Sequence, residues 1–218
     1  MKKLLIAASL AVVGAANAGD LLWDQPYDGT SFGFISQTVL DDKDNSTYLF
    51  DDVVVNNGPW TITKITAYGE EGGVAGQTQA TRVRFTENHS FTNPGAIGLE
   101  FTLQGAGGMV GGNAVLDIPN LILENGTWWI SVWVERPFDT GGQWNWRGTQ
   151  PVTGSEAWAH NPGGGLLGTS DPGTIGSFSG LGPTDLSFTI EGQAVPEPGT
   201  LLALGVGLAA LAAFRRRK

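Results

Sequence analysis

From residue 19 to residue 195, runs rich in Val, Ile, Thr and aromatic residues recur at short spacing, separated by Gly, Pro, Asn and Asp. This punctuation constrains the fold most, because such runs form strands that bury a face and are too short and too interrupted for helices. In that region no window longer than about ten residues keeps an apolar period of 3.6, so an α-rich domain is excluded. The runs predict strands at 32–40, 47–55, 60–68, 81–86, 97–103, 114–118, 127–135, 144–147 and 186–191. Asn56-Asn57-Gly58-Pro59 and Glu124-Asn125-Gly126 read as turns, since Asn and Gly tolerate positive φ and Pro cannot donate to a ladder. The expected class is all-β, an antiparallel β-sandwich of jelly-roll-like form.

Period-two alternation assigns faces within these strands. In residues 127–135, Trp128, Ile130, Val132 and Val134 point to a core, while Trp129, Ser131, Trp133 and Glu135 point away from it. In residues 60–66, Ile65 breaks strict alternation and predicts a bulge near Lys64. Asp51-Asp52 lies inside a strand, so one of the two must point inward, where a hydrogen-bonded structural carboxylate is expected.

Composition narrows the chemistry. The 218 residues include no Cys, which excludes disulfides and Cys-ligated zinc or iron-sulfur centres. The formal net charge is -9, yet residues 19–197 hold 21 acidic and 6 basic side chains, for a net charge of -15. Such a surface repels nucleic acid phosphates and anionic lipids, so no nucleic acid partner is expected.

The remaining six basic residues sit at the two ends. Lys2-Lys3, an apolar run over 4–14 and Ala16-Asn17-Ala18 form the three-part pattern of a signal peptide at 1–18, with the cut placed between Ala18 and Gly19. Signal peptidase and the secretion machinery are the implied partners. At the other end, a linker at 192–200 leads to an apolar run over 201–214 and then Arg215-Arg216-Arg217-Lys218. Fourteen residues at about 1.5 Å each give roughly 21 Å of helix, a short transmembrane anchor that snorkelling arginine stems would lengthen. The basic cluster at 215–218 is expected to stay cytoplasmic and the body at 19–191 to face outward.

The order Pro196-Glu197-Pro198, apolar helix, Arg215-Arg216-Arg217 resembles the PEP-CTERM family of sorting signals. The resemblance covers about the last 24 residues. It implies recognition by an exosortase, a membrane transpeptidase-like protease, with removal or transfer of the tail near Pro196-Glu197-Pro198. It also implies a bacterium that makes exopolysaccharide, and a destination at the cell surface or in the extracellular matrix of a biofilm. The body, with its Asp51-Asp52 step and closing 185–192 run, resembles a globular domain common upstream of such tails that carries no assigned activity.

Within the body, six of eight Trp fall between residues 128 and 158. Trp129, Trp133, Trp144, Trp146 and Trp158, with Gln143 and Asn145, could stack on and hydrogen-bond a glycan, or the rings could fill a core poor in Leu and Ile. Asp42 and Asp44 place carboxylates at alternate positions, a weak calcium candidate that lacks the glycine and the closing Glu of an EF-hand. No other metal or cofactor is expected. His89 and His160 read as loop residues, and Gly163-Gly164-Gly165-Leu166-Leu167-Gly168 as a loop, because no strand precedes it and no helix follows. The sequence therefore predicts a secreted, non-enzymatic surface or exopolysaccharide-matrix protein. Glycan binding through the Trp cluster is the alternative, and a carbohydrate-active hydrolase built on two carboxylates is a more distant one.

Overall fold

The computed structural model describes residues 19–29, 32–87, 99–104 and 108–195. The predicted signal peptide at 1–18, Pro196-Glu197-Pro198, the apolar run at 201–214 and Arg215-Arg216-Arg217 lie outside the described residues, as does His89. Among the described residues no helix is long and apolar enough to cross a membrane.

In chain order the strands begin with β1 (Asp20–Gln25), β2 (Gly33–Ile35), β3 (Gln37–Val39), β4 (Tyr48–Val55), β5 (Trp60–Ala67) and β6 (Gly69–Glu71). They continue with β7 (Ala80–Thr86), β8 (Leu99–Gln104), β9 (Met109–Val110), β10 (Asn113–Leu123) and β11 (Gly126–Arg136). After a one-turn helix α1 (Phe138–Gly141) come β12 (Trp144–Thr149), β13 (Trp158–His160) and β14 (Gly173–Thr174). A second short helix α2 (Ile175–Ser179) precedes β15 (Asp185–Leu186) and β16 (Phe188–Ala194).

Among the described residues three sheets result. One has the order β1-β16-β5-β10-β9, the second β14-β13-β4-β11-β7-β8 with β3 beside β11, and the third β15-β12-β2 with β6 beside β12. The pairings are antiparallel except for β3 with β11. Inward residues of the first two sheets, Ile62, Ile65, Leu116 and Ile190 from one and Val53, Val83, Ile130 and Val132 from the other, form a single buried core. That is the expected all-β arrangement of two layers sharing one core.

The third sheet plugs this core with two indoles. Trp144 and Trp146 are wholly buried, their ring centroids 6.3 Å apart, and Trp146 meets Phe188 edge-on at 6.1 Å. Each buried indole N–H is satisfied, Trp144 Nε1 by Gly112 O at 2.8 Å and Trp146 Nε1 by Ser187 O at 2.8 Å. The Trp144 ring lies against the backbone of Gly69, where a Cβ would stand 2.5 Å from Nε1.

Most predicted strands appear within a few residues of their expected limits, with three instructive departures. The run at 32–40 is two strands, because Ser36 hands the chain from β12 to β11; its Oγ donates to Val132 O at 2.6 Å and accepts from Leu49 N–H at 3.3 Å. The strand predicted to stop at Ile118 runs on through Pro119 to Leu123, across a register shift between Asp117 and Leu121 that accommodates a residue with no N–H to give. The body was expected to end at 191 and a linker to begin at 192, but β16 continues to Ala194. Gly192 pairs with Asp20 on one side and Ile62 on the other, and Val195 N–H donates to Pro59 O at 2.8 Å. The bulge expected near Lys64 is present: Glu191 pairs with Lys64 and Gly192 with Ile62, leaving Thr63 as the extra residue.

Candidate functional site

Among the described residues a cleft of about 350 Å³ lies between the β2–β12 edge of the third sheet and the segment from 159 to 179. Phe34, Ile35 and Leu49 line one side, Leu166, Leu167, Ile175 and Phe178 the other, and Gln143 and Asn145 supply amides. A second hollow of about 220 Å³ shares Ile35, Gln143 and Leu166 with the first and adds Val39, Asp42, Asn45 and Phe138. The shared lining makes the two hollows one groove with Gln143 at their junction.

A buried asparagine fixes the far wall. Asn161 Oδ1 accepts Leu166 N–H at 2.8 Å and Leu167 N–H at 3.0 Å, while its Nδ2 donates to Asp44 O and Ser46 O, both at 2.8 Å. Four hydrogen bonds from one side chain hold the 162–167 loop against the 3-10 turn at Lys43–Asn45. The glycines in that loop are there for close approach: a Cβ on Gly163 would collide with Asp44 Cα, and one on Gly165 would stand 2.7 Å from Asn45 Oδ1. The glycine-rich stretch is thus a loop, as expected, and its small residues serve packing. On the near wall Gly33 plays the same part, since a Cβ there would stand 2.8 Å from Asn145 Cβ.

A second constellation is buried. Asp51 points inward from β4, and its Oδ2 accepts Gln25 Nε2 at 2.8 Å and Leu186 N–H at 2.7 Å, while Oδ1 accepts Asp52 N–H at 2.9 Å. This is the inward structural carboxylate that the Asp-Asp step predicts. Asp52, also buried, accepts Ser155 N–H at 2.7 Å, and Asp185 accepts Thr153 N–H at 2.5 Å. Asp185 Oδ1 is buried with no hydrogen-bond partner among the described residues. Burial first, then the charge of Asp185, pushes Asp51 well above the usual carboxylate range. Asp185 is pushed up to about 7 by burial, with Asp52 and Glu156 adding to the rise and the Thr153 and Ala157 N–H groups opposing it. None of these carboxylates lines either hollow of the groove.

The sequence-predicted glycan tryptophans line neither hollow of the groove. Trp144 and Trp146 are 0% exposed and Trp129 and Trp133 only 3% and 5%, so these four rings offer no face to a ligand; this corrects the reading of them as a stacking platform. Trp129 and Trp133 do point away from the core on β11, as alternation requires, but long side chains cover that face. Tyr48 meets Trp133 edge-on at 5.5 Å, and the Arg84 guanidinium lies 5.5 Å from its ring centre. Beside them Arg82 bridges Glu135 and Glu100 at 2.7 and 2.8 Å, and Arg84 bonds Glu100 at 2.6 Å. Although burial raises the Glu100 carboxyl, hydrogen bonds from Arg84 and Arg82 bring it below its ordinary range. Trp158 is half-buried on β13, opposite Phe50 and Thr174.

Of the expected polar companions, Gln143 and Asn145 do line the groove. Phe34, Phe178 and Asn161 were missed, because each becomes recognisable only once distant strands meet; the one local hint was the glycine-rich loop itself. Asp42 accepts Asn45 Nδ2 at 2.6 Å, and Asp41 accepts the Phe138 and Asp139 N–H groups, which hold its carboxyl below the ordinary value. Asp44 is exposed, and among the described residues no three His, Asp or Glu side chains come together as a metal site. His160 closes β13 instead of lying in a loop, and burial lowers its pKa.

A family model described as the PEP-CTERM protein-sorting motif matches residues 194–218. No curated protein and no solved structure matches the chain.

Proposed function

We propose, on the premise that this chain is a PEP-CTERM sorting-domain protein, that it is an exported surface or exopolysaccharide-matrix protein whose body is non-enzymatic. The tail implies export, membrane-associated sorting and processing by an exosortase. The observation that carries the reading is positional: the matched motif starts at residue 194, where β16 ends, so the sorting segment follows directly on the last strand of the sandwich. The chain would be held at first by its C-terminal apolar run and then released or transferred near Pro196-Glu197-Pro198.

The non-enzymatic reading is supported by where the acids sit. Asp51 and Asp185, whose carboxyls are pushed up, are buried among backbone N–H donors and do not line the groove, where Asp42 of the second hollow is the one acid among the lining residues. A glycosidase needs two carboxyl groups flanking a bound sugar. Stability of the fold is a sufficient role for both.

Deleting residues 196–218 and fractionating the cells tests the sorting proposal. The truncated chain should leave the fraction that holds the full-length protein. Identical distribution of the two would refute it.

A further inference from the structure

We propose that the groove between β2, β12 and the 161–179 segment binds a short stretch of neutral glycan. The proposal does not depend on the tail. Its main hollow, about 350 Å³, is within the size range of pockets that enclose small organic ligands. The lining is largely apolar, and Phe34 and Phe178 are half-buried within it. Into it come two half-buried primary amides, Gln143 and Asn145, whose side chains have no hydrogen bond to another described residue.

Three ligand classes can be weighed on this lining. A hydrocarbon would strip water from both amides and return no hydrogen bond. A phosphate or carboxylate would be desolvated with no cation lining the main hollow to meet it, in a chain whose residues 19–197 carry a net charge of -15. A neutral sugar satisfies both demands: its C–H faces lie on aromatic and aliphatic carbon, and its hydroxyls both donate to and accept from the amides. The wall that would close over it is already in place, because Asn161 fixes Leu166 and Leu167 by their backbone. Little ordering entropy is then left to lose on binding.

The test is an array of neutral and acidic oligosaccharides of graded length, probed with labelled full-length chain. Q143A/N145A is the first comparison and the isosteric N145D the second, each checked for an unchanged melting curve. At least one neutral oligosaccharide should bind, with affinity falling at least about tenfold in Q143A/N145A and clearly in N145D. Binding confined to acidic members, binding unaltered in both variants, or no binding to any neutral member would each overturn the proposal.

Discussion

Asp185 carries the clearest single-residue consequence. Its carboxyl is buried, one oxygen lacks a partner, and Asp52 and Glu156 add negative potential, so the folded chain holds its proton up to about pH 7. Unfolded, the same group would titrate near 3.8. Between these values the folded state binds the more protons, so its contribution to stability is full below about pH 4 and is lost as pH rises through 7. Asp51, raised for the same first cause, acts with the same sign. The urea midpoint should therefore fall between pH 5 and pH 8. Asp185→Asn should flatten that fall, because the amide keeps an acceptor for Thr153 N–H and puts a donor where the unpartnered oxygen stood. An equal fall in the variant would contradict this assignment. That one member of the Asp51-Asp52 step faces inward was legible from strand alternation alone. That Asp185, 133 positions further on, sits against them was not, because only the packing of β15 on β4 brings it there.

At the level of strands, local pattern was informative wherever one face of a strand meets a core and uninformative wherever both faces are covered. β11 shows this well: alternation placed Trp128 inward and Trp133 outward correctly, yet nothing within β11 announces that Tyr48 and Arg84 will cover Trp133. The same holds for β12, whose Trp144 and Trp146 share one face as expected, but a face that closes the core. Trp146→Ala should cost about 3–5 kcal/mol in chemical denaturation, since it opens a large void and removes the indole N–H that Ser187 O accepts beside the Tyr68 backbone N–H. β16 depends on a missing side chain. It is hydrogen-bonded to β1 and β5, and at its bulge a Cβ on Gly192 would run into the Thr61 carbonyl. Gly192→Ala should lower stability by at least about 2 kcal/mol in chemical denaturation, more than an exposed substitution of that size. A variant as stable as the parent would show that β5 yields at the bulge.

For the molecule as a whole, the two ends of the body lie side by side. Gly19 abuts Gly192, where even a Cβ would stand 2.8 Å from the backbone nitrogen, and Asp20 pairs with Gly192. The predicted signal peptide and the sorting tail are thus joined to neighbouring strands at one edge of the sandwich. Both cationic segments lie outside the body, whose own cations are largely neutralised: among the described residues Lys64, Arg82, Arg84, Arg136 and Arg147 all sit in ion pairs with glutamates. The surplus charge that remains exposed is acidic, so copies of the body repel one another. Because β16 runs to Ala194 and Val195 N–H is bonded to Pro59 O, the segment between the body and the apolar run at 201–214 begins at Pro196, and five residues at about 3.3 Å each give it a reach of at most about 17 Å. Intact-mass analysis of the protein recovered from the cell surface or medium gives the decisive reading. A chain that starts at Gly19 and ends near Pro196-Glu197-Pro198, lacking residues 201–218, is the predicted result. Surface protein that still carries Arg215-Arg216-Arg217 would contradict it.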